Sequence, residues 1–209
     1  ETLFARRDLS SQTMLQLASL YARNAEIGKM DQVIDRLPLG FSHKLVRAQL
    51  ITQKEAPKIS SHIAAGIIDA SLIDRQSQGG SMLNARLGLA LYLDDVNDSA
   101  RFLLAQALQE MEQPQAAIAK LDAIDEASIW GQPGLLLRSD LERRNDMSGA
   151  ISQMQAAVDG DRGNALLHKE LGDLYRMASQ FDKARDAYLV AIDLGFVSGY
   201  SYKLISWYI

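Results

Sequence analysis

The chain has 209 residues, 47% of them hydrophobic and 23% charged, with four Pro and no Cys. Such a composition buries enough apolar area to offset ordering entropy, which excludes a disordered chain, and the lack of Cys excludes a disulfide framework, a thiolate nucleophile and a Cys-based zinc site. A net charge of −4 and a pI near 5.4 argue against a nucleic-acid binder, which needs a basic face to neutralise phosphates.

The chain opens at Glu1 with no Met and no basic-then-apolar leader, which predicts a processed or excerpted polypeptide. From there apolar residues recur at three- and four-residue spacing almost throughout, with no sustained alternation bounded by hairpin turns, so the chain reads as all helix. A first pair of helices is expected around Leu17-Ala18 and Tyr21, then Met30, Ile34 and Leu37, with breaks at Gly28 and at Pro38 to Gly40. Between Pro38 and Ser61 the pattern is unreadable, and one irregular or long helix is expected there, with Pro57 marking a start or a kink. The nearest approach to a membrane span, Ile63 to Ile73, carries Asp69 in its middle and falls short of the ~18 apolar residues needed. Further breaks are expected at Gly79-Gly80, Asp94 to Asp98, Gln113-Pro114, Gly131 to Gly134, Asn145-Asp146, Gly160 to Asn164, Ser179-Gln180 and Gly195. Pro114 and Pro133 sit where helices start, since the first turn needs no N–H from them. Between Ser61 and Trp130 ten acids face four cations. This acidic midsection reads as a solvated face, with an orienting field for a basic partner as the alternative.

The helices repeat. Leu171, Tyr175, Ala184, Tyr188 and Ala191 stand 34 residues beyond Leu137, Leu141, Ala150, Met154 and Ala157. One step earlier, Leu104-Ala105, Leu108, Ala117, Leu121 and Ile124 return at an offset of 33, and the N-terminal pair repeats the spacing more loosely. Leu87-Gly88, Leu91, Ala100, Leu104 and Ala107 also fit, in a frame shifted by half a period, so the helix from Ser99 to Met111 reads both as a second helix and as a first. At the C-terminus Tyr202, Ile205-Ser206 and Ile209 begin another repeat whose second helix is missing, as if cut from a longer array.

This pattern resembles the tetratricopeptide repeat: a large residue followed by Gly or Ala, an aromatic three positions on, then Ala, an aromatic and Ala in a second helix. The match is fullest from Ala165 to Ser198, through Leu171, Gly172, Tyr175, Ala184, Tyr188 and Ala191; His168, Phe196 and Arg138 depart from it. The resemblance implies an all-α, right-handed α-solenoid of about twelve stacked helices, and a fragment of a longer bacterial protein of this family. Regular repeats are expected at about 11–44, 98–130, 131–164 and 165–198, an irregular stretch at 45–80 and a partial repeat at 199–209, all in one continuous segment.

Little in the chain points to catalysis. His43, His62 and His168 lack zinc-ligand spacing and read as surface or packing residues. There is no phosphate-cradling Gly-rich loop, and no nucleophile elbow. Asp159, Asp161 and Glu170 fall on the first, third and twelfth positions of a calcium loop, but the turn Gly stands at 163, one place early, and Asn164 reads as a helix cap. No metal, no cofactor and no enzyme activity is therefore expected.

If the chain binds, the resemblance implies that exposed first-helix positions line a concave groove. These are Phe102, Gln106 and Gln109; Leu135, Ser139, Glu142 and Arg143; Lys169, Asp173 and Arg176; and Lys203 and Trp207. Their mixture of cations with Phe102 and Trp207 suits a protein or peptide partner. Family members that clamp a peptide carboxylate carry Asn four residues after Lys, whereas Asp173 follows Lys169 here and opposes a carboxylate. The expected function is a non-enzymatic protein-interaction scaffold. The alternatives are a regulatory or substrate-presenting region of a larger enzyme, such as a glycosyl- or sulfotransferase, and self-association through the apolar end at Trp207 to Ile209. A soluble segment, in the bacterial cytoplasm or periplasm, is the expected setting.

Overall fold

The three-and-four spacing of apolar residues becomes eleven helices among the residues that the computed structural model describes, 10–52, 58–78 and 82–196. They are α1 (Ser11–Arg23), α2 (Ile27–Ile34), α3 (His43–Thr52), α4 (Ile59–Gln78), α5 (Leu83–Leu93), α6 (Asp98–Glu110), α7 (Pro114–Leu121), α8 (Gly131–Glu142), α9 (Met147–Gly160), α10 (Ala165–Met177) and α11 (Phe181–Asp193). All regular structure among these residues is helical, and the chain divides into two compact units that part after Gly134.

In the first unit the hairpins α1/α2, α4/α5 and α6/α7 are the main packing pairs, and α5 also packs on α6. Ala64 and Ile68 of α4, Leu83, Leu87 and Ala90 of α5, and Ala100, Leu103 and Ala107 of α6 form one apolar core. Asn97 starts α6 by accepting a hydrogen bond from the Ala100 N–H, and Pro114 opens α7. In the second unit, Ala150, Met154 and Val158 of α9 close against Leu167, Leu171 and Leu174 of α10, with Leu135 and Leu136 of α8 at the edge. Asp146 and Asn164 accept from the Gly149 and Leu167 N–H groups and begin α9 and α10.

Three helix ends are built alike. Ala25, Glu112 and Ser179, each just past a first helix, have positive φ of 58°, 57° and 58°. In each, the next amide reaches back to a carbonyl five residues earlier: Glu26 to Tyr21 at 2.9 Å, Gln113 to Leu108 at 2.9 Å and Gln180 to Tyr175 at 2.8 Å. This left-handed cap satisfies carbonyls that the ended helix leaves open. The three acceptors are residues that the repeat alignment equates, so α1, α6 and α10 are first helices of their hairpins.

That pattern decides the ambiguous frame. A first helix needs a small residue where its partner crosses, and Ala105 of α6 is fully buried at that position. Gly88, its counterpart in the shifted frame, is exposed, with nothing within 4 Å of where a Cβ would stand. The predicted irregularity between Pro38 and Ser61 is α3, a helix outside any hairpin, followed by α4, which at 20 residues is the longest helix described. Two expected breaks are corrected: Gly28 lies inside α2, because the turn is made at Ala25, and Gly131 opens α8. Pro57 and Gly79-Gly80 lie outside the described residues.

Candidate functional site

A binding face shared by successive first helices needs those helices to approach each other, and in the second unit the ends of α8 and α10 do. The Arg143 guanidinium, at the end of α8, approaches the Met177 sulfur, at the end of α10, to 3.7 Å across a separation of 34 residues. Along α8, Arg138 donates to Glu142 at 2.8 Å, and Arg143 pairs with Asp140. Along α10, the Lys169 ammonium lies 2.9 Å from Glu170 and 2.8 Å from Asp173, and Arg176 lies 3.7 Å from Asp173. Four cations and four carboxylates thus cover two adjacent helices, each side chain between 14% and 39% exposed.

The network has a floor. Gly172 lets α11 approach so closely that a Cβ there would stand 2.6 Å from the Tyr188 ring, and the buried Tyr188 donates its hydroxyl proton to Asp173 at 2.6 Å. Burial, then the bond to Asp173, holds the phenol protonated well above its ordinary range. For Lys169, burial opposes the charge, but the hydrogen bonds to Asp173 and Glu170 outweigh it and raise the ammonium's pKa. Tyr175 donates to Gln155 at 3.2 Å and takes the Lys183 ammonium 5.4 Å above its ring; Tyr21 and Lys29 repeat that stacking at 5.5 Å at the same positions of the first hairpin.

The expected groove residues separate accordingly. Glu142 and Arg143 each have an ion pair along α8, and Lys169, Asp173 and Arg176 pair along α10, with Arg143 reaching Met177 between them. Ser139 is corrected: it is 5% exposed and buried under its helix, and it lines nothing. Leu135 turns into the core of the second unit. In the first unit, Gln106 and Gln109 are partly exposed on α6. Phe102 is corrected from an open groove position to a packed one: its ring lies 5.2 Å from that of Trp130, which meets Phe41 edge-on at 5.0 Å. Trp130, 6% exposed, is the centre of that cluster, and nothing in the repeat pattern marked it, because it falls between repeats. Tyr188 was marked only as the second-helix aromatic of the repeat; its bond to Asp173, 15 residues back, follows no helical spacing. Lys203 and Trp207 lie outside the described residues.

The remaining polar residues have ordinary partners. His43, His62 and His168 each bond a backbone carbonyl, of Leu37, Lys58 and Arg162 respectively. Asp159 lies 3.7 Å from Arg162, Glu170 is held by Lys169, and Asn164 caps α10. Among the described residues no group of three or more His, Asp or Glu is placed to hold a metal ion, and no helix is long and apolar enough to cross a membrane.

No protein-family model matches the chain, and no curated protein matches it. Solved structures do. The crystal structure of MamA is 20% identical over 71% of this chain and 80% of its own, at a TM-score of 0.55. YrrB, described as a TPR protein with an unusual peptide-binding site, is 17% identical over 93% and 91%, at 0.53. PilF of Pseudomonas aeruginosa is 13% identical over 91% and 79%, at 0.56. At these identities the likeness establishes the fold.

Proposed function

We propose that this tetratricopeptide-like helical-repeat chain is a non-enzymatic scaffold that holds a protein or peptide partner on the paired first helices α8 and α10. The observation that carries the reading is the contact of Arg143 with Met177, one period apart. It supports a reading in which the ends of two first helices meet and their half-exposed charged side chains form one band. YrrB, of the same fold, is described as binding peptide, and stacked repeats present such surfaces generally.

The charges on this band neutralise one another, which sets the kind of partner. A lone carboxylate meets Asp173 and Glu170 beside the only Lys of the band, so a carboxylate-clamp mode is disfavoured. A segment carrying both signs exchanges pairs with the band instead, and gains by registry rather than by net attraction. The test is a pull-down with the full chain as bait, set beside a variant carrying R143E, K169E and R176E whose helicity is checked by circular dichroism. Loss of at least tenfold in recovery of a captured partner is expected. Equal recovery would overturn this placement of the site.

A further inference from the structure

Helix α3 interrupts the alternation of first and second helices, yet it does not interrupt the stack. The Thr13 hydroxyl of α1 donates directly to Asp69 of α4 at 3.2 Å. Helices α1 and α4, from the hairpins on either side of α3, therefore touch each other directly, while α3 itself packs on α1 and α2.

Three contacts place it. Phe41, just ahead of α3, packs on Trp130, and Trp130 packs on Phe102 of α6, a first-helix position. Gln49 of α3 donates to the Ala127 carbonyl at 2.5 Å, 78 residues away, beside the same tryptophan. Arg47 holds Asp31 of α2 through two bonds of 2.7 and 3.1 Å at the surface. The chain's own segment from Phe41 to Leu50 thus lies on the first-helix face of the first unit.

The attachment is slight. Among its ten residues α3 buries only Val46 and Leu50, whereas α6 buries Ser99, Ala100, Leu103, Ala105 and Ala107. Elements with few buried apolar contacts open at lower free energy than the core around them. A helix that is outside the hairpins, packs on α1 and α2, buries two of its own aliphatic residues and is tied through Phe41 and Gln49 to the Trp130 region has the form of an internal ligand.

We infer that α3 and Phe41 are a removable plug on the first-helix face of the first unit, and that the face accepts in its place a partner-protein segment in which an aromatic residue precedes a short helix carrying two aliphatic side chains four residues apart. Phe41, Val46 and Leu50 supply that pattern now. Aromatic and aliphatic anchors entering a helix-lined groove are a recurrent mode of helix recognition, and an intramolecular occupant lowers apparent affinity by the fraction of molecules in which the face is covered. This inference is independent of the band on α8 and α10 and stands or falls separately.

The test uses the full chain, its R47A/Q49A variant and a fluorescently labelled peptide of residues 38–52. The two substitutions loosen α3 through exposed side chains and leave its buried residues intact. Anisotropy titration should show the peptide binding the variant at least tenfold more tightly than the wild type, and F102A added to the variant should abolish the gain. Native-state hydrogen exchange should show α3 amides exchanging at least tenfold faster than those of α6. Equal peptide affinity for wild type and variant, a gain that survives F102A, or α3 amides that exchange only together with those of α6 would each show a fixed structural helix and overturn the inference.

Discussion

Single residues carry much of what distinguishes this chain from a regular repeat. Ala25 holds a left-handed conformation at φ 58°, which a Cβ disfavours by about 1–2 kcal/mol. Replacing it with Gly removes that strain and adds some unfolded-state entropy. A25G is therefore expected to stabilise the chain by about 0.5–1 kcal/mol, seen as a raised midpoint in thermal or denaturant melts; a lowered midpoint would show that the turn needs its side chain. Gly172 has the opposite character. The Tyr188 ring stands 2.6 Å from where a Cβ would sit and is tethered through its hydroxyl to Asp173, so G172A should cost about 1–3 kcal/mol by overpacking. Gly172 was legible in the sequence as a close-crossing residue because the repeat puts a small residue there. The tether was not, because it joins two helices whose register depends on that crossing.

At the scale of helices, the α10/α11 hairpin couples its packing to pH. Tyr188 is raised from an unfolded value of 10.0, chiefly by burial, and Lys169 from 10.5, where bonds to Asp173 and Glu170 prevail over burial. A raised folded pKa contributes stability that is fully present below the unfolded value and is lost as pH rises through the folded one. The second unit should therefore hold its stability up to about pH 10 and lose it above, followed by the α10 and α11 amides in a pH series. Y188F should cost about 1–2 kcal/mol at neutral pH, the worth of a hydrogen bond to a carboxylate, and should make the alkaline loss shallower. An unchanged alkaline slope in Y188F would assign the loss to Lys169. Helix positions followed from the periodicity, and the turns at 112–113 and 179–180 fell where expected, because local bonds and caps determine them. The turn expected at Gly28 was made at Ala25 instead: the hairpin's length was set by packing between α1 and α2, and the backbone accepted a non-glycine cap.

At the scale of the molecule, a residue that belongs to no repeat position ties α3 to α6 in the first unit. Trp130 joins Phe41 ahead of α3 to Phe102 on α6, so W130A should cost about 3–5 kcal/mol. Hydrogen exchange should quicken in α3 and α6, while α9 to α11 keep their rates, as expected where each repeat depends on its neighbours alone. Equal acceleration in α9 to α11 would contradict that locality. By itself the sequence determined the helical class, the 34-residue period and the identity of first and second helices from Leu137 onward, since these depend on spacing along one chain. It also placed the irregular region between Pro38 and Ser61, as a loss of pattern. Only the tertiary structure decided that α3 stands outside the hairpins, that Phe102 packs against Trp130, that Tyr188 is tethered to Asp173, and that Ser139 is buried. These outcomes depend on which faces meet across 15 to 78 residues of chain. The repeat pattern specifies neighbours one period apart, and it carries no information about a segment that lies outside the repeat and packs against it.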